Sequence, residues 1–143
     1  MLAHVLVAYD GSEGSRHALQ FARRLITQTQ AKLTLVQAVE LPVPVVIGPF
    51  DGYVTLGDMP TTEQLQEAER KLRALVVDLP PERVGARVEL GTPADVVVRV
   101  ATELSPDLVV VGARGLSTAG RWLLGSVSDR VVHHCPCPVT VVR

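Results

Sequence analysis

The chain has 143 residues, of which 47% are apolar and 20% charged, with 14 Lys plus Arg set against 15 Asp plus Glu. That length suits one ordinary domain, and the apolar share is enough for a packed core, which excludes a disordered chain. A balance so close to neutral excludes a general nucleic-acid or membrane-surface binder, which needs a basic excess, but leaves room for a local phosphate pocket.

The opening run Leu2–Ala8 is apolar, short and without a charged start. It leads into Asp10-Gly11-Ser12 rather than a cleavage site, so no targeting segment is expected. No apolar stretch approaches the roughly 18 residues that span a bilayer. Cys135 and Cys137 are the two cysteines, one residue apart. They make no disulfide framework, which points to a reducing, cytoplasmic setting.

In chain order, His4–Tyr9 reads as a buried strand ended by Asp10-Gly11-Ser12, and a helix is predicted from about Ser12 to Thr29 on the spacing of Ala18, Phe21, Ala22, Leu25 and Ile26. Lys32–Val39 is a second strand. Leu41–Pro60, rich in proline and glycine and carrying Phe50 and Tyr53, is expected to be one long connection. It is either a variable surface excursion or a lid or partner surface. Thr61-x-x-Gln64 has the form of a capping box. Leu65, Ala68, Leu72, Leu75 and Leu79 mark the face of the helix behind it, and Pro80-Pro81 should stop that helix.

Val84, Ala86, Val88 and Leu90 alternate as a third strand, and Thr92-Pro93 caps a helix with buried face Ala94, Val97, Val98, Ala101 and Leu104. Asp107–Val111 is a fourth strand. A helix follows from near Ser126 to before Pro136, then a terminal strand Val139–Val142. Strands alternating with helices imply a parallel α/β sheet covered on both faces, a Rossmann-like arrangement forming a single domain over 1–143. Such open sheets bind ligands beyond the carboxyl ends of their strands, where strand order reverses.

The segment after the fourth strand carries the chemistry. Gly112, Gly115, Gly125 and Ser126 stand in the spacing G-x2-G-x9-G-[S/T]. Glycines let backbone amides approach an anion, and a helix opening at Gly125-Ser126 offers free amides and its dipole to a phosphate. Ser126 and Ser128 would add hydroxyl donors, and Arg114 and Arg121 charge-assisted bonds. The simpler reading is a glycine-rich turn whose Ser126 caps the helix. His133-His134-Cys135-Pro136-Cys137 contains zinc-type ligands, but the spacing is too tight for a finger and no other histidine lies near in sequence.

This glycine pattern resembles the ATP-binding signature of the universal stress protein family. The resemblance runs through the chain: His4–Ser12 resembles that family's first strand and acidic turn, Leu33–Val39 its second strand, Asp107–Gly112 its fourth and Cys137–Val142 its last. It implies a five-stranded sheet in order 3-2-1-4-5, with helices on both faces. It implies that Ala8 and Asp10 meet the ribose or adenine side of a nucleotide and that Ala38 borders the adenine. Gly112, Gly115, Gly125, Ser126 and Val127 would embrace ribose and phosphates. Arg114 stands where the family often has histidine, and Ala38 where it often has valine, which would loosen the adenine pocket.

The resemblance implies ATP as ligand, with ADP and AMP as alternatives and Mg²⁺ accompanying it, and a homodimer formed through the last strand. The expected role is a cytoplasmic, nucleotide-dependent stress or signalling module with no nucleic-acid or membrane partner. As an enzyme it would be at most a slow ATPase, because no residue clearly positions a water. A P-loop is absent. A phosphoryl-accepting domain would need an aspartate after the third strand, where Glu89-Leu90-Gly91 stands.

Overall fold

Strand β1 (His4–Ala8) is a run of β-branched and apolar residues whose centre, Val5 to Val7, has no accessible surface. Burying each such side chain contributes about 1.5–3 kcal/mol. In the computed structural model, which describes residues 1–47, 52–55, 57–113 and 125–143, β1 sits in the middle of a parallel sheet. The other members are β2 (Lys32–Val39), β5 (Val84–Leu90), β6 (Leu108–Gly112) and β7 (Val139–Val142), in spatial order β5-β2-β1-β6-β7. Counting these five alone, that is the expected order 3-2-1-4-5. The helices are α1 (Glu13–Thr27), α2 (Thr62–Ala74), α3 (Pro93–Leu104) and α4 (Ser126–His134).

Period-two alternation divides the sheet between two cores. Val5, Val7, Leu33, Leu35 and Val110 pack with Ala18, Ala22 and Ile26 of α1 and Leu72 of α2. Leu6, Val36, Val109 and Val111 pack on the other face with Val97 and Val100 of α3 and Val131 of α4.

The turn into α1 needs its glycine, since Gly11 has φ +81°. The Asp10 carboxylate accepts the Ser12 amide at 2.9 Å, and Ser12 caps the helix by accepting from Ser15 N. At the other end of α1, the Arg83 guanidinium donates to the carbonyls of Ile26, Thr29 and Ala31, at 2.9 Å each. It thereby satisfies carbonyls that the helix end leaves without partners.

Four expectations change. Leu41–Pro60 is not a plain loop: β3 (Pro44–Ile47) and β4 (Gly52–Thr55) pair antiparallel as a separate ribbon. Pro44, at the first position of β3, does not break it, because proline is tolerated at a strand start. The capping box of α2 forms as read, but the helix ends at Ala74, well before Pro80-Pro81. The chain turns out of helical phase there, leaving Leu75 exposed and Val76 buried. On α3, Val96 and Val100 are buried rather than Val98 and Leu104, which are only partly covered. The run Val96-Val97-Val98 allows two helical phases, and the i, i+4 pair Val96 and Val100 wins the sheet face. Thr92 occupies the cap position of α3 without bonding its amides; its hydroxyl donates to Asp95 at 2.8 Å instead.

The start of the sheet is tied by one carboxylate. Asp107 Oδ2 accepts the amides of Ala3 and His4, both at 2.8 Å, which holds its pKa below the ordinary 3.8. Beside it, His4 Nε2 lies 2.8 Å from the Thr34 hydroxyl, and burial pushes the imidazole below 6.5. Both groups favour the fold in their deprotonated forms. As pH falls below about 6.5 the unfolded chain takes up the His4 proton first and stability drops. The Asp107 contribution, present above the unfolded 3.8, is lost at lower pH, as the native carboxyl titrates. Urea midpoints should therefore be lower at pH 5.5 than at pH 7.5, and His4→Gln should shrink that difference. An undiminished drop in His4→Gln would show that another group carries it.

Candidate functional site

β1 lies between β2 and β6: the α1 crossover leads from β1 to β2 on one side, and the α3 crossover brings the chain from β5 to β6 on the other, so strand order reverses between β1 and β6. Their carboxyl ends deliver Tyr9-Asp10-Gly11 and Gly112-Ala113 to one edge of the sheet, where the general rule for such sheets puts ligands.

Ala8, Ala38 and Val127 all belong to the side of the sheet that α3 and α4 cover. Each is partly buried against the core cluster shared with α3 and α4. Ala8 ends β1 in register with Val36, and Ala38 lies one pleat further along β2. Two alanines at strand ends leave an apolar shelf where larger side chains would fill the edge. Val127, in the first turn of α4, packs against the same cluster.

That first turn has the character expected of an anion cradle. Gly125 is the N-cap residue, with φ −59° and ψ 153°, and among the described residues no side chain caps the amides that follow. Orphan amides at a helix start carry partial positive charge and accept an anion readily. Ser126 is exposed at the opening of the turn. Ser128 is not a free donor: it is buried, and its hydroxyl donates to the Gly125 carbonyl at 3.0 Å. Arg114, Gly115 and Arg121 lie outside the described residues.

Gly112 has a reason for being glycine that the spacing argument missed. A Cβ there would lie 2.3 Å from the carbonyl carbon and oxygen of Gly14 and 2.8 Å from the Ser15 amide nitrogen. Conversely, a Cβ on Gly14 would meet the Ala113 carbonyl oxygen at 2.7 Å. The pair lets the first turn of α1 sit directly on the end of β6. Gly112 thus faces α1, on the side of the sheet opposite Ala8 and Ala38, and shapes the switch point from behind. The available signal was Gly14 itself, a poor helix former inside an otherwise regular helical pattern. Sequence reasoning also passed over Arg16, whose guanidinium donates to the Gly11 carbonyl at 2.6 Å and sets a cation at this rim.

Other charged clusters are mutually engaged. The α3–α4 groove, lined by Asp95, Val98, Arg99, Arg130 and His134, holds an Arg130–Asp95 pair at 2.8 Å. Among the described residues no group of three or more His, Cys, Asp or Glu side chains is placed to hold a metal ion, and no helix is long and apolar enough to cross a membrane.

Fold and switch point together define a doubly wound α/β domain with its candidate ligand crevice at the carboxyl edge of β1 and β6. The model of the universal stress protein family matches residues 1–143, and the chain belongs to that family. It is 37% identical over 145 residues to a universal stress protein of Thermus aquaticus, covering all of both chains. A solved universal stress protein in complex with cAMP is 28% identical, with a TM-score of 0.66 over 99% of this chain and 97% of the other. A family protein of Arabidopsis thaliana with AMP bound shares the fold at 22% identity and a TM-score of 0.62, over 98% of this chain and 90% of that one.

Proposed function

We propose that this chain binds an adenine nucleotide, ATP with Mg²⁺, at the carboxyl edge of β1 and β6, and acts as a cytoplasmic nucleotide-dependent stress or signalling module. The observation that supports the reading is that residues at the strand ends and the first turn of α4 share one side of the sheet. An apolar shelf of Ala8, Ala38 and Val127 suits a flat base, and the uncapped first turn of α4 at Gly125-Ser126 suits phosphates. Asp10 stands at the nucleoside end of this arrangement, on the turn after β1. Arg114 and Gly115 complete the signature in sequence. The 28% identical relative that holds cAMP supports the adenine class.

Mg²⁺ would travel with the phosphates. Placed toward the nucleoside, Asp10 would not reach a metal held on the phosphates. Holding ground state and transition state alike gives affinity without rate. Steady-state phosphate release should accordingly stay below about 1 per second, the low end of ordinary enzymes. Turnover above that, abolished by Ser126→Ala in folded protein, would make the chain a nucleotide-using enzyme instead.

The module is proposed to work as a homodimer. Among the described residues β7 is an edge strand with partly exposed, β-branched residues, and its outer side would offer ladder groups to a second copy. An isologous two-fold contact would pair the two strands antiparallel. Light scattering at micromolar concentration should report twice the chain mass, and the mass of a single chain would refute the dimer.

A further inference from the structure

Cys135 and Cys137 bracket Pro136 in the turn joining α4 to β7. Neither takes part in the nucleotide site, which lies at the opposite end of α4. Both thiols are half-buried, and both pack against the same cluster as Val139 and Val141. The residues 135, 137, 139 and 141 therefore share one face of the chain, so the two sulfurs lie on the same side of Pro136.

Spacing allows a bond between them. Residues two apart in an extended chain have Cα atoms about 7 Å apart, just beyond the roughly 4.4–6.8 Å range that a disulfide bridges. Here the chain bends at Pro136 and Cys137, which shortens that span. Cys135 is the last residue before the bend, with φ −69° and ψ 139°, the extended conformation that a following proline favours. Its amide is held by the Val131 carbonyl at 2.9 Å, so the start of the turn is fixed by α4.

We propose that Cys135 and Cys137 form a redox-sensitive dithiol that closes to an intramolecular disulfide when it meets a small organic disulfide, clipping the end of α4 to the start of β7. One protein thiolate attacks a sulfur of the oxidant and expels the first oxidant thiolate, leaving a mixed disulfide. The second protein thiolate attacks the protein sulfur of that intermediate and expels the second oxidant thiolate. The protein is oxidised by two electrons, the oxidant is reduced to two thiols, and the two protein thiol protons pass through solvent to the leaving thiolates. The neighbouring thiol resolves the adduct without a second chain.

Burial sets the pace. It raises both thiols, Cys135 to about 11, so little thiolate is present at neutral pH and the reaction should quicken as pH rises. Closure joins the element whose first turn is the proposed phosphate cradle to the strand at the sheet edge, placing both under one covalent constraint.

The test incubates the folded full chain with oxidised glutathione at pH 7 and pH 9 and follows intact mass. The parent should lose two hydrogen atoms without accumulating a glutathione adduct, faster at pH 9. Cys135→Ser and Cys137→Ser should each retain a stable adduct. A parent that keeps its adduct, that links to a second copy on a non-reducing gel, or that stays unreacted at pH 9 would overturn the proposal.

Discussion

Gly112→Val is expected to destabilise the fold by about 3 kcal/mol, the upper end of the usual cost of overpacking. The first added carbon would stand 2.3 Å from two backbone atoms of Gly14. Backbone in the first turn of a capped helix cannot rotate aside as a side chain can. Either α1 lifts from β6 or β6 leaves its ladder with β1 and β7. Lifting α1 would open a core containing Ala18, Ala22 and Ile26, all essentially without accessible surface. Gly112→Ala should follow in the same direction, since the clash begins at Cβ. Chemical denaturation measures both, and an alanine variant within about 0.5 kcal/mol of the parent would mean that this contact is not as close as described.

Gly125→Val should spare the fold and damage the site. Gly125 has φ −59° and ψ 153°, which any L-residue adopts, so the substitution carries no backbone strain. The added side chain stands at the mouth of α4, where the proposal brings phosphates against the free amides. A loss of at least tenfold in nucleotide affinity is expected, about 1.4 kcal/mol, with an unchanged denaturation midpoint. A folded variant that binds as tightly as the parent would place the cradle elsewhere. The contrast between the two glycines is informative: one signature, G-x2-G-x9-G-[S/T], contains a glycine that serves helix packing and another that serves an open helix start.

Much of the fold was legible because its elements carry strong local signals. Val139–Val142 and Lys32–Val39 match their predicted bounds, as short β-branched, apolar runs between turn residues should. The Thr61–Gln64 capping box was readable because its chemistry is local, and both of its bonds are present. The β3–β4 ribbon was not, since its proline and glycine content resembles an irregular loop until the pairing partner is known. The phase of α3 was ambiguous for a similar reason: consecutive valines satisfy more than one face, and only packing chooses.

At the proposed site, Ala8, Ala38 and Val127 are named by family resemblance, and the three lie on the same side of the sheet. The opposed orientation of Gly112 depends on strand alternation and on Gly14, far away in sequence. The anchoring of Arg83 to the end of α1 and of Asp107 to the start of β1 is likewise a long-range fact that no local window contains.

The central claim is that the crevice at the carboxyl edge of β1 and β6 holds an adenine nucleotide. Isothermal titration of the intact protein with Mg-ATP, stripped beforehand of any nucleotide it carries, tests it most directly. The account predicts saturable heat with one nucleotide bound per chain. No heat and no thermal shift at millimolar nucleotide would contradict it.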